Sequence, residues 1–321
     1  MEQPFTLRFP GSKLLKTLLG VFFAALPAAA QTPTDGLMMS QGKVCTVAMY
    51  TYDSWDRYWE GPLRRQNPNI GTVSTQSLHL MAAAGLGSRL NLIVDVPYVW
   101  TNVSGGTLRG MRGFQDLNVF LKGKAYSGKV YGGKLSAFAV AGFSTPMSNY
   151  VKDYLPASIG FGATTASLRG TLHYRTDLGV FVTANAGYTR RSNIRIDRNS
   201  YFTDRMVYSS EVFMPDVADG SVRLGYLNKF VQAEAILSRF TTLGGFDITR
   251  NNMPFPSNLM QATRLGVNVV LRPAFMKAFS LNAGAAYTTH GRNVGQATGY
   301  YGALQYVFNW RGKAESQDYT E

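Results

Sequence analysis

Histidine, cysteine and the acidic side chains are where chemistry would start, and they are sparse. The sequence has three histidines, His79, His173 and His290, and one cysteine, Cys45. No Gly-x-Ser-x-Gly elbow accompanies them, and no group of His, Cys, Asp and Glu has the spacing of metal ligands. An ester-cleaving pair of serine and histidine is the enzyme reading to weigh. All three histidines are expected on the face turned away from lipid, where a lipid ester would not reach them. No catalytic residue, metal or cofactor is assigned. Cys45 excludes an intrachain disulfide and suits a small buried apolar residue.

The cations carry a clearer pattern. Lys122, Lys124, Arg169, His173, Arg175, Arg191, Arg223, Arg264 and Arg272 fall on one side of alternating segments, against Asp95, Asp116 and Glu234. Two readings stay open: an electropositive pore that favours anions, or a lumen packed with Arg and acid pairs that conducts little. A second set, Arg57, Arg64, Arg65, Arg109, Arg112, Arg195, Arg198 and Arg205, lies in loops among Trp55, Trp59, Tyr201 and Phe202. Guanidinium forks suit the phosphates of lipopolysaccharide, and the alternative pairs them locally with Asp56, Glu60, Asp197 and Asp204. The formal net charge of +13 is dispersed along the chain, so nucleic acid is not the expected partner.

The elements that must position these groups are read from alternation. Leu90, Leu92, Val94, Val96, Tyr98 and Trp100 share one face, and Asn91, Asp95 and Thr101 share the other with Ile93, Pro97 and Val99. Period two means an extended strand. After a glycine-rich loop, Leu117, Val119, Leu121 and Ala125 alternate with Asp116, Asn118, Lys122 and Lys124. The pattern recurs to give about twelve strands, with tight turns at Gly85, Ser127, Thr176, Leu227 and Pro273 and longer loops between them. An even strand count, short turns at one end and long loops at the other define an up-and-down membrane barrel. Pro97 lies inside one of its strands, where it removes a ladder hydrogen bond. It is read as a kink, either opening a sideways exit for an apolar solute or only bending the wall. The stretch from Gly244 to Asn258 is read as an inward constriction or a rigid surface turn.

Aromatics sharpen the assignment. With the N-terminus periplasmic, upward strands should carry amphipathic rings near their ends and downward strands near the turns. Tyr98, Trp100, Tyr188 and Tyr287 meet the first condition, and Tyr174, Tyr226, Phe308 and Trp310 meet the second. Composition agrees: charged residues make up 16%, with 33 Gly, 18 Tyr and 19 Phe. Residues 1–30 read as a secretory signal peptide, with Arg8, Lys13 and Lys16, an apolar run from Leu18 to Leu26, and cleavage expected after Ala30. Residues 31–42 are then a polar leader, 43–310 the barrel and 311–321 a polar tail.

Several segments resemble the transporter-like outer-membrane proteins of the MetA pathway of phenol degradation family. They are Gly85-Leu86-Gly87-Ser88-Arg89-Leu90-Asn91, Val96-Pro97-Tyr98, Gly113-Phe114-Gln115-Asp116-Leu117, Gly142-Phe143-Ser144-Thr145-Pro146 and Ala186-Gly187-Tyr188. The likeness runs from about Gly85 to Arg191 and continues more weakly to Trp310. Gln115 departs from the glycine expected before the aspartate. The resemblance implies an outer-membrane barrel passing small aromatic or apolar compounds, and it supplies no catalytic residues. The expectation is an exported Gram-negative outer-membrane channel for small solutes, built by the barrel-assembly machinery and surrounded by outer-membrane lipid and lipopolysaccharide. The alternative is a closed structural or surface-interaction barrel whose Arg-rich loops bind lipopolysaccharide or a partner.

Overall fold

The computed structural model describes residues 31–249, 252–276 and 278–310. The expected signal peptide and polar tail lie outside the described residues. Twelve long strands form one antiparallel sheet: β1 Lys43–Trp55, β2 Val73–Gly87, β3 Leu90–Val103, β4 Asp116–Val130, β5 Gly133–Pro146, β6 Thr165–Thr176, β7 Val180–Arg191, β8 Val217–Leu227, β9 Val231–Thr242, β10 Gln261–Leu271, β11 Phe279–Arg292 and β12 Thr298–Asn309. Each pairs with its chain neighbour, and β1 pairs with β12 from Lys43 opposite Asn309 to Ser54 opposite Thr298. The sheet is a closed barrel, as expected, and leaves no main edge unpaired.

What selects a barrel over a soluble sandwich is which face is buried. Outward positions are large and apolar: Leu80, Leu168, Leu172, Leu224, Leu265 and Val267 are all exposed. Inward positions are polar and closed off: Asn91, Lys122, Thr183, Ser280 and Gln305 are fully or almost fully buried. This inverted profile suits a wall against hydrocarbon. The strands run from 11 to 15 residues, enough for the roughly 9–11 residues that a tilted membrane strand needs.

The short connections lie at the end where β2, β4, β6, β8 and β10 finish. Between β4 and β5, Tyr131 and Gly132 both have positive φ (45° and 70°), the two-residue turn whose twist matches a hairpin. That turn replaces the one expected at Ser127, because β4 continues to Val130. At the other end β6 starts at Thr165, later than the Ile159 expected, since Ile159 and Ala163 are drawn under the loops and buried.

Two irregularities matter for the faces. On β3, Asp95 sits opposite Asn118, whereas Tyr98 sits opposite Phe114, so the partner chain carries one extra residue beside Pro97. The Gln115 N–H still donates to the Pro97 carbonyl at 3.0 Å. The wall bends there and stays hydrogen-bonded, the geometry of a bulge. On β11 the register slips between Thr263 and Arg264, so His290 rather than Thr289 pairs with Thr263. Thr263 is on the outward face, and the slip carries His290 outward with it. The expectation that all three histidines face the lumen is therefore corrected for His290, which is exposed at the loop end of its strand.

Candidate functional site

The lumen is crossed by the chain's own leader. Gln31 to Gln41 enters the barrel at the short-turn end before β1, and the side chains that hold it come from strands all round the wall. Asp35 is the anchor. Lys122 of β4, with no exposed surface, donates from its ammonium to the Asp35 carboxylate at 2.8 Å, the Asp35 carbonyl at 2.8 Å and the Thr32 carbonyl at 3.0 Å. All three of its donors are used, which is what makes a buried ammonium tolerable. Asp35 also accepts the N–H groups of Thr32 and Leu37, folding the strap into a tight turn.

Further contacts pin the strap along its length. Arg223 donates to the Thr34 hydroxyl at 2.5 Å, and Asn185 donates to the Thr34 carbonyl at 3.3 Å. The side-chain amides of Asn91 and Gln31 meet at 2.6 Å. Gly36 packs on the His173 ring so closely that a Cβ would overlap it, and a Cβ on Gly85 would overlap the Ser40 carbonyl. Below the polar contacts Met39 joins Cys45, Ala83, Ile93 and Val307 in a small core, so Cys45 is the buried apolar residue expected. The strap fills this end of the lumen.

The expected lumen residues are found on inward positions, and Arg169, Arg223 and Arg264 join Lys122 in being matched by acids. Arg169 donates to Asn185 and to Asp219, both at 2.6 Å. Arg223 meets Glu234 at 3.2 Å, and Asn268 donates to the same carboxylate while accepting from the Tyr301 hydroxyl. Arg264 meets Asp53 at 2.6 Å. Arg272 donates to the Gln232 side chain and Arg175 to the Leu227 carbonyl, while Arg191 lies over the Phe161 ring. Asp116 accepts from the Tyr150 hydroxyl at 2.8 Å, and Lys124 sits opposite Phe138. Asp95 receives His79 at 3.0 Å, and His79 in turn reaches Ser77 at 2.9 Å. Among the described residues no cluster suited to a metal ion is present.

Three acids that neutralise this lumen were not read from the sequence. Asp53 and Asp219 obey the inward alternation, but they sit at the loop ends of strands taken to be shorter, and so fell among the loops. Asp35 gave no signal, since a polar leader has no periodicity. The effect of all three is the same: the lumen is less electropositive than its cations alone suggest.

The opposite end is capped by loops. Asn293 (φ 53°) is their hub: its side-chain oxygen accepts from the N–H groups of Gly61 and Ile248, and its amide donates to Asp247 and the Leu259 carbonyl. Arg292 grips Asp247 through two hydrogen bonds at 2.6 and 2.8 Å. Those bonds, the one from Arg292 first, hold the Asp247 carboxyl below its usual range. Between Gly244 and Asn258, Ile248, Phe255 and Asn258 are buried. Phe255 belongs to an apolar cluster with Ala163, Ile194, Ile196, Val212 and Met214, drawn from three loops. Of the loop arginines, Arg65 pairs with Glu60 at 2.9 Å, and Arg198 pairs with Asp153 at 2.6 Å rather than with Asp197. Trp59 is buried, its N–H bonded to Val294 of the last loop.

The rings fall at both ends of the outer wall. Tyr98 and Trp100 cluster with Phe114 and Tyr50 near the loops. Tyr188 and Tyr287 are exposed at that level, and the Tyr188 hydroxyl bonds Asp216. Tyr226, Phe308 and Trp310 are exposed at the short-turn end, where the Tyr174 hydroxyl bonds the Tyr131 carbonyl.

Fold comparison adds a class. No family model matches the sequence, and no curated protein matches it. Among solved structures, the COG4313 outer membrane channel from Pseudomonas putida F1 matches with a TM-score of 0.69 at 14% identity, over 87% of this chain and 100% of that one. The translocator domain of the autotransporter NalP from Neisseria meningitidis matches at a TM-score of 0.46 and 10% identity, over 86% of this chain and 90% of that domain. NanC porin matches at 0.44 and 7%, over 81% and 99%. The two lower scores carry no weight here. The first shows a shared fold: a closed, antiparallel twelve-stranded barrel of the outer-membrane type.

Proposed function

We propose that this chain is an outer-membrane channel that passes small solutes passively through its lumen, with the leader strap as the constriction on the path. The observation that carries the reading is the way the strap is held. From Gln31 to Gln41 it is held to the wall through side chains, by hydrogen bonds, one ion pair and a small apolar contact, and its backbone joins the ladder only at Gly42, whose N–H donates to the Gly85 carbonyl. It can leave without opening the sheet. The matched cations argue for a modest anion preference at most, since Asp53, Asp219, Glu234 and Asp35 screen Arg264, Arg169, Arg223 and Lys122.

The solute class rests on the resemblance to the phenol degradation family: small aromatic or apolar compounds, with an organic anion such as an aromatic acid meeting both that resemblance and the cationic side chains of the lumen. Passage is the whole of the work in this reading, and it takes place in the outer membrane after export, with lipopolysaccharide around the loop arginines. A second reading, a closed structural barrel, is favoured by the loop cap and its Asn293 hub. Reconstitution of the folded chain in a planar bilayer separates them. Steady conductance that rises when the strap is displaced supports the channel, whereas a barrel that stays silent with the strap displaced supports the structural role.

A further inference from the structure

Ser77, His79 and Asp95 stand in one hydrogen-bonded line that passage of solutes does not require. Ser77 and His79 are two residues apart on β2, so the pleat turns both into the lumen. The β2 and β3 register sets Asp95 opposite Met81, on the same face and within reach of the imidazole. His79 Nε2 lies 2.9 Å from Ser77 Oγ, and His79 Nδ1 lies 3.0 and 3.2 Å from the two Asp95 oxygens.

The hydrogen positions follow from the partners. An ionised carboxylate only accepts, so Nδ1 carries the imidazole proton and donates it to Asp95. In the neutral imidazole Nε2 then turns its lone pair toward Ser77 and accepts a hydrogen bond from the Ser77 hydroxyl. The Thr51 hydroxyl, 2.5 Å from Ser77 on its other side, is then the donor to Ser77 Oγ. Asn118 donates to the outer Asp95 oxygen at 3.3 Å and fixes the carboxylate. Nucleophile, base and orienting acid are thus in hydrogen-bond reach with the tautomer a serine nucleophile needs.

The geometry points to Ser77 as an ester-cleaving nucleophile inside the lumen. This inference goes beyond passage and does not depend on it. The substrate class follows from what surrounds the serine. Backbone N–H groups of β1, β2 and β3 are spent on the ladders, so the Thr51 hydroxyl, freed from Ser77 Oγ as that oxygen bonds to carbon, is the nearby side-chain donor for a developing oxyanion. With a single donor, only esters with a good leaving group react at a useful rate, which selects aryl esters. Ser77 is almost buried, so the acyl group must be small. The lumen position excludes bilayer lipids as substrates, and the site lies above the strap, on the side a solute from outside would meet first.

In the first step Ser77 Oγ attacks the ester carbonyl carbon and its proton passes to His79 Nε2. The tetrahedral adduct collapses, the aryl–oxygen leaving group departs from the carbonyl carbon, and it takes the proton from His79 as a phenol. Water then attacks the acyl-Ser77 carbonyl, giving a proton to His79, and the proton returns to Ser77 Oγ as the carboxylic acid leaves. The net reaction is aryl ester plus water to carboxylic acid plus phenol.

The test uses the folded full-length barrel in detergent, with a fluorophosphonate probe and p-nitrophenyl acetate. The expected result is one probe per barrel on the peptide bearing Ser77 and a nitrophenolate burst of one equivalent. Ser77→Ala should abolish both, while His79→Gln and Asp95→Asn slow labelling by about 100-fold or more. Thr51→Val should slow ester turnover by about 10-fold or more while Ser77 still labels, as loss of an oxyanion donor requires. Far-UV circular dichroism confirms that each variant keeps the barrel. Absence of labelling in a folded wild-type barrel, or labelling that persists in Ser77→Ala, overturns the proposal.

Discussion

The two ends of the lumen are closed by different physics. At the short-turn end the strap is tied to the wall by polar side chains, with Lys122 and Asp35 at the centre and a small apolar patch around Met39. At the loop end five connections share a hub at Asn293 and an apolar cluster around Phe255, so closure there resembles a miniature folded core. A closure made of directional bonds to one segment can be released as a unit. A closure made of shared burial among loops yields only by local unfolding. The strap is therefore the natural moving part and the cap the fixed one.

The largest expected effect comes from Gly36→Val. Its Cβ would overlap the His173 ring, so the strap cannot seat, and single-channel recordings should show a severalfold larger conductance than wild type. Lys122→Met comes next. It leaves Asp35 buried without its ammonium partner, a change that costs about 3–5 kcal/mol for a broken buried pair. The strap should become accessible to protease while the barrel itself, held by its ladders, stays folded.

At the loop cap, Asn293→Ala removes four hydrogen bonds among three loops. Loss of buried partners at about 1–3 kcal/mol each should loosen the cap, measured as faster cleavage between Gly244 and Asn258, with conductance changed little. Acid acts on the same latch more gently. The folded pKa of Asp247 is depressed, so its contribution is complete above the unfolded carboxylate value of about 3.9 and is lost as pH falls from there through the lower folded value. Cap protection should fall over that acid window, and the Asp247→Asn variant should lack the dependence. Pro97→Val should give the smallest effect, because the bulge beside it already keeps the wall hydrogen-bonded; uptake of an apolar compound should be unchanged.

The wall was legible in the sequence and the lumen only partly so. Alternation through Leu90 to Trp100 identified both faces, since hydrocarbon outside and polar groups inside impose opposite demands on successive residues. The same rule set Ser77, His79 and Asp95 on the inner face. It could not set them beside one another, because that needs the cross-strand register of β2 against β3. His290 shows the converse failure: a single slip beside Thr263 reversed its side, and no local residue announces it. The strap was read as a leader and nothing more. Its place depends on Lys122, Asn185 and Arg223, which are far away in sequence and meet Asp35 and Thr34 only when the sheet has closed.

In the proposed function the lumen is the path and the strap its constriction. Single-channel conductance of the wild-type barrel and of Gly36→Val, recorded side by side in one planar bilayer, tests it most directly. A small or flickering wild-type conductance and a large, steady one in the variant are expected. Equal conductance in both, from barrels shown to be folded, would contradict it.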